Sequence, residues 1–214
     1  MKKLFLSVFL IALLTTCSKS PVKQSITLGP EYNISAEFKT WTIFNKGSWW
    51  VYKNEKTNFA DTTKLTHGPF YNKELCGNCP VIEYMWFYMT GPVVIQYDVE
   101  GGKNENASLH IRKDDGSEIL AFTNKTLTDP AHSDSSGYGF KYQFIEKLDS
   151  MVMNGKTISN IYHTKLSWQK TYYEDPPYLG CDYYFAKGIG LILLKKNYPS
   201  TDTTWSLMDW HTVQ

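Results

Sequence analysis

Short runs of β-branched and aromatic residues, separated by turn-forming residues, recur along most of the chain. In the clearest run, Phe140, Tyr142 and Phe144 alternate with Lys141 and Gln143. A two-residue period places apolar side chains on one face of a strand and leaves the other face to solvent. No segment of twelve residues shows the 3.6-residue period of an amphipathic helix. The pattern therefore predicts an all-β protein.

The globular part is predicted to begin near Phe38, with strands at 38–44 and 48–52. The later predicted strands are 81–89, 93–99, 108–113, 117–123, 140–153, 156–169, 183–186, 191–196 and 203–213. The run at 81–89 is apolar on both sides, which predicts a strand covered on both faces. The segment 129–139 is polar and is predicted to be a flexible loop.

The predicted turns are of the hairpin kind. Asn154-Gly155 separates two strand-like runs, and this dipeptide favours a two-residue type I′ turn because both residues tolerate positive φ. Similar glycine-containing turns separate the runs between residues 93 and 123. Neighbouring strands are therefore predicted to be antiparallel. A meander of roughly ten strands curls into a barrel or half-barrel or folds into a sandwich, and we favour the curled meander as a single domain.

The first residues have the pattern of an export signal. Lys2 and Lys3 precede an eleven-residue run, Leu4 to Leu14, which is apolar except for Ser7 and too short to span a bilayer. The run ends Leu14-Thr15-Thr16-Cys17, which resembles the lipobox of bacterial lipoproteins. That resemblance implies cleavage before Cys17 and attachment of acyl chains to its thiol. An ordinary secretory peptide is the alternative.

Lipidation would divide the chain into three parts. Residues 1–16 are a lipoprotein signal peptide, 17–37 a lipidated N-terminus with a polar flexible tether, and 38–214 the β-rich globular domain. Several acyl chains on one cysteine give stable membrane attachment, whereas a single chain is marginal. The expected partner is therefore a membrane and the expected location is the cell envelope, at the outer membrane, with the leaflet undetermined.

Charge and composition exclude two broad classes. The chain has 22 Lys+Arg against 21 Asp+Glu, so it lacks the positive field of a nucleic-acid-binding protein. Its 15 tyrosines, 11 phenylalanines and 7 tryptophans supply enough apolar surface to argue against disorder.

Three cysteines besides Cys17 lie in the predicted domain: Cys76, Cys79 and Cys181. Cys76-Gly77-Asn78-Cys79 has the spacing of a thiol–disulfide oxidoreductase. Pro80 and a strand-like run follow it instead of a helix, which favours a disulfide-stapled turn. Pairing of either cysteine with Cys181 is also open. A zinc site would need His67, His163 or His211 as a fourth ligand, and the spacing matches no standard zinc module.

No catalytic constellation stands out, so we predict no enzyme activity, no cofactor and no metal. The histidines are scattered and no G-x-S-x-G elbow occurs. An aromatic group surrounds Glu174-Asp175-Pro176-Pro177 and could stack on sugars: Trp168, Tyr172, Tyr173 and Tyr178. Closing the end of a β-core is the alternative use of these rings.

Four short segments together suggest a family resemblance. They are 47–52 (Gly-Ser-Trp-Trp-Val-Tyr), 154–161, 183–192 and 204–207. With these segments the chain resembles uncharacterised β-rich lipoproteins of Bacteroidota, a resemblance that implies fold and location but no activity. We therefore predict a cell-envelope lipoprotein with a non-enzymatic binding or structural β-domain, for a hydrophobic ligand or an envelope partner. A glycan-binding module and a C-x-x-C oxidoreductase are the alternatives.

Overall fold

The computed structural model describes residues 29–74, 80–91, 96–102, 107–112, 118–124, 133–136, 140–168, 180–197 and 202–214. These ranges contain thirteen strands and one helix of more than a single residue. The helix is α1 (Ala36–Thr42). The strands are β1 (Glu31–Tyr32), β2 (Trp49–Asn54), β3 (Ala60–Glu74), β4 (Val81–Thr90), β5 (Gln96–Glu100), β6 (Ser108–Arg112), β7 (Glu118–Thr123), β8 (Ser133–Ser136), β9 (Phe140–Met153), β10 (Lys156–Trp168), β11 (Gly180–Ala186), β12 (Gly190–Asn197) and β13 (Thr203–His211). Across the described ranges, no helix is both long and apolar enough to span a membrane.

Twelve strands form one antiparallel sheet, in the order β7-β6-β5-β4-β3-β2-β13-β12-β11-β10-β9-β8. The sheet curls until it is nearly closed into a barrel. One bond that helps to close it runs from the Thr164 hydroxyl of β10 to the Ala121 carbonyl of β7, at 2.8 Å. The predicted all-β curled meander is therefore confirmed.

The first predicted strand, 38–44, is wrong, because most of this segment forms α1. Ser35 caps the helix by accepting a hydrogen bond from the Phe38 amide at 3.1 Å. Phe38, Trp41 and Thr42 follow at the spacing of one helical face, and all three are buried. Seven residues are too few to give a helical period in a longer window, so the cap was the available signal.

The folded part also begins earlier than the predicted boundary at residue 38. Glu31 and Tyr32 pair in parallel with Val81 and Ile82 of β4. Ile34 is 3% exposed and belongs to the core. The described residues from 31 to 37, which the sequence analysis assigned to the tether, therefore pack against the domain.

Besides β1, two strands were not predicted. β3 carries Gly68-Pro69 and few alternating positions, and register shifts near these residues show where its pairing with β4 is irregular. β8 lies in the polar segment 129–139, where a flexible loop was expected, and it pairs with the first residues of β9. Both segments form strands because they pair with a neighbouring strand, and local composition does not indicate such pairing.

The Asn154-Gly155 turn is confirmed. Met153 pairs with Lys156, and the two central residues have φ of 49° and 76°. The Asn154 amide also donates to the Leu207 carbonyl at 2.7 Å, which ties the hairpin to β13.

Replacing Gly155 by alanine should therefore lower the free energy of unfolding by about 1 kcal/mol, because an L side chain strains this backbone. A Cβ at this position would meet no neighbouring atom within 4 Å, so steric collision does not add to the cost. Asparagine, which tolerates positive φ, should cost less than alanine. Urea unfolding checks both variants. Equal stability of the alanine variant and the wild type would contradict the prediction.

Candidate binding surface

Most of the predicted site residues fall outside the described residues. These are Cys17, Cys76, Cys79, Tyr172, Tyr173 and Tyr178. Trp168 ends β10, but its side chain is also outside the described part. Cys181 lies on β11 and is fully buried. The disulfide, the lipidated cysteine and the aromatic group near Glu174 therefore stay predictions.

The described interior of the barrel is filled by large side chains. The largest of the fully buried side chains are Trp50, Tyr142, Phe38, Phe44, Phe87, Phe122 and Phe185. Polar atoms among them bond within the fold: the Trp50 indole donates to the Ile189 carbonyl and the Tyr52 hydroxyl to the Leu191 carbonyl, each at 2.7 Å. Burial raises the pKa of Tyr52, which keeps its phenol neutral. The side chains of this interior support the fold.

Aromatic side chains also lie on the outer face of the sheet. Phe70 of β3 and Tyr84, Trp86 and Tyr88 of β4 form what we call the aromatic strip. The ring centroid of Phe70 is 5.5 Å from that of Trp86 and 6.3 Å from that of Tyr88, and Tyr84 lies 5.4 Å from Trp86. The four rings are therefore contiguous across two strands.

The aromatic strip is open to solvent. Phe70 is 42% exposed and Tyr88 is 41% exposed, while Tyr84 and Trp86 are half-buried. The opposite face of β4 is core, because Met85, Phe87 and Met89 are buried. The expectation that both faces of this strand are covered was therefore wrong. Alternation along β4 places Tyr84, Trp86 and Tyr88 on one face without showing that this face is open, and only the register with β3 adds Phe70 to it.

Polar groups border the aromatic strip. His67 pairs with Tyr88 and Asn72 with Tyr84 across the β3–β4 ladder, and both side chains are exposed. Glu100 pairs with Tyr84 on the β5 side and is half-buried. An apolar centre with hydrogen-bonding groups at its edge is typical of a binding surface.

A second cluster lies on β9, β10 and β11. The His163 imidazole contacts Glu146 through Nδ1 at 3.2 Å and Asp182 through Nε2 at 2.8 Å. Its ring stacks on Tyr184 with centroids 4.1 Å apart and planes at 9°. The Lys195 ammonium lies 5.4 Å from the Tyr184 centroid. The cluster fastens three strands together, and the sequence did not indicate it because its members are brought together only by pairing.

Neither nitrogen of His163 is open, because each faces a carboxylate. Among the residues that the structure describes, no group of three or more His, Cys, Asp or Glu side chains is arranged to hold a metal ion. The zinc alternative for Cys76 and Cys79 lies outside the described residues.

The carboxyl of Asp182 makes the contribution of this cluster to stability depend on pH. Burial alone would raise its pKa, but the hydrogen bond with His163 and the charges of Lys165, His163 and Lys195 outweigh burial and lower the pKa. A carboxyl with a lowered folded-state pKa stabilises the fold above its unfolded pKa, about 3.9, and loses this contribution as the pH falls through the folded value.

The Asp182→Asn variant should therefore lose less thermal stability than the wild type when the pH falls from about 5 to about 2. Thermal unfolding at several pH values checks this. Asp209→Asn is the matched control, because Asp209 also has a lowered pKa, through its hydrogen bond to Lys156, but is exposed to solvent. Parallel pH curves for the wild type and Asp182→Asn would contradict the prediction.

Comparisons with known proteins give one distant structural match. No protein family matches the sequence, and no related curated protein is found. A solved structure of a candidate lipoprotein from Parabacteroides distasonis matches with a TM-score of 0.43 and 10% sequence identity, over 80% of this chain and 99% of that chain. Similarity at this level carries no inference about function.

Proposed function

We propose that this protein is a lipoprotein of the cell envelope, anchored through Cys17, whose β domain acts by non-enzymatic binding at its outer surface. The anchor is supported by the charged start, the short apolar run and the lipobox-like residues before Cys17. The tether then joins a domain whose described part starts at residue 29.

The aromatic strip is the observation that carries the binding role. It exposes apolar rings on the outside of a barrel whose described interior is packed with aromatic side chains. A ligand held inside the barrel would have to displace side chains such as Phe122 and Phe185 from the core. Binding on the outer face needs no such rearrangement, so the hydrophobic ligand or envelope partner is assigned to this face.

The two alternatives lead to different readouts. A glycan-binding module would use the aromatic residues near Glu174, and an oxidoreductase would use Cys76 and Cys79. Glycan binding should not change when reductant is added. An oxidoreductase instead requires a pair of cysteines that is reversibly oxidised and reduced. Counting thiols in the purified protein with and without reductant tests the oxidoreductase, because a bridge that reductant does not open excludes it.

Metabolic labelling with a fatty acid tests the anchor. In cells expressing the full chain, we expect the label on the wild type and its loss from Cys17→Ser. Cys76→Ser is the matched control and should keep the label. Mass spectrometry of the mature protein should show an N-terminal acylated cysteine and the absence of residues 1–16. Label that persists on Cys17→Ser, or a mature protein without acyl chains, would overturn the proposed anchor.

A further inference from the structure

The outward face of β4 is apolar along nearly its whole length. Ile82, Tyr84, Trp86 and Tyr88 follow one another at the two-residue spacing of that face, and none of them is fully buried. Exposed positions on β9 instead mix the polar Gln143 and Asp149 with the apolar Ile145 and Val152. Residues that were predicted to be covered on both sides are therefore half-buried or exposed on one side, which is the pattern of a surface that meets another body.

This face begins where the chain enters the domain. Tyr32 of β1 pairs with Ile82 of β4, and Tyr84 is two residues further along. Gly29, the first described residue, lies twelve positions after Cys17 in the sequence. A chain of that length can extend to roughly 40 Å at most. From Tyr84 to Tyr88 the strip is only about 14 Å long. An anchor at Cys17 therefore holds the strip within reach of the membrane that it binds.

We propose that the aromatic strip rests on the surface of the lipid bilayer to which the protein is anchored. This inference rests on the proposed lipid anchor. The chemistry of the strip fits, because Trp and Tyr combine an apolar ring with a polar tip and concentrate at the level of the lipid headgroups. Phe70 adds an apolar ring that enters the acyl boundary. The exposed His67 and Asn72 at the border then face the headgroups.

Electrostatics favours no particular lipid charge. Glu100 lies beside the strip on the β5 side, whereas Lys73 and its partner Glu31, 3.1 Å apart, follow the register of Glu83 and Val81 on the opposite face. The contact therefore depends on apolar burial, and neutral phosphatidylcholine is a sufficient probe. A carbohydrate chain could also stack on these rings, but closeness to the anchor and the exposed phenyl ring of Phe70 favour the bilayer.

Quenching by lipid-borne bromine tests the contact. The acylated wild type is incorporated into phosphatidylcholine vesicles with or without brominated acyl chains, and only protein that floats with the vesicles is measured. We expect bromine to quench the wild type and Trp86→Phe to remove at least about half of that quenching, since Trp86 lies in the strip. Trp210→Phe, which removes a half-buried indole near Lys156, is the control and should retain it.

A pair of exposed phenylalanines provides a second test that does not alter a half-buried residue. Phe70→Ser should weaken quenching of Trp86, whereas Phe59→Ser should not, because Phe59 is 55% exposed on the β2–β3 connection. Equal quenching of the wild type and Trp86→Phe would overturn the bilayer contact. So would protection of Trp86 from acrylamide by soluble polysaccharides but not by vesicles, which assigns the strip to glycans. If the mature protein purified from cells instead carries no acyl chains and does not float with vesicles, the anchor itself is refuted.

Discussion

Replacing Phe122 by alanine will lower the free energy of unfolding by about 3–5 kcal/mol, which is the usual cost of truncating a buried phenylalanine. Phe122 is fully buried on β7. Its ring is 5.4 Å from that of Phe38 in α1, 5.9 Å from that of Tyr162 in β10 and 5.1 Å from that of Phe185 in β11. It therefore packs an edge strand against the helix and against strands on the other side of the barrel.

Chemical denaturation followed by fluorescence measures this change. Phe59→Ala removes the same group from an exposed position and should cost less than about 0.5 kcal/mol. A similar loss for both variants would mean that Phe122 does not join the two sides of the barrel. Because the loss comes from packing, it should be the same at pH 5 and pH 7.

Local alternation predicts most of this fold wherever a strand has one face open to solvent. In β9, for example, Tyr142 and Phe144 are buried while Gln143 is exposed, as their order in the sequence indicates. The tight turn at Asn154-Gly155 is equally local, since it depends on two residues that accept positive φ. These features require no knowledge of distant neighbours.

The features that the sequence analysis missed depend on distant neighbours. α1 is stabilised by burial of Phe38 and Trp41 against Phe122, and its segment on its own has the composition of a strand. The aromatic strip needs the register that brings Phe70 beside Trp86. In the sequence, His163 is one of five scattered histidines, and only strand pairing places it between carboxylates from two other strands. Residues far apart in sequence meet only after the sheet forms.

Replacing Glu83 by glutamine should lower the free energy of unfolding by about 2 kcal/mol, because a buried charge partner is removed. Glu83 is 3% exposed, and its carboxylate accepts hydrogen bonds from the Ile34 amide and the Lys39 ammonium, each at 2.6 Å. Glutamine keeps the shape but presents either a neutral oxygen or an N–H group to these donors. Lys39 is 37% exposed, so water compensates part of the loss.

The loss should be concentrated in the segment that leads to the anchor. Hydrogen exchange at Ile34 and in α1 should accelerate in Glu83→Gln before the rest of the barrel is affected. Glu31→Gln is the matched control, because it breaks the Lys73 pair in the same part of the sheet, where both side chains are exposed at 37% and 55%. That control should cost clearly less than Glu83→Gln, because water screens an exposed ion pair. If the two variants exchange alike, Glu83 does not hold the entry segment, and its burial has another cause.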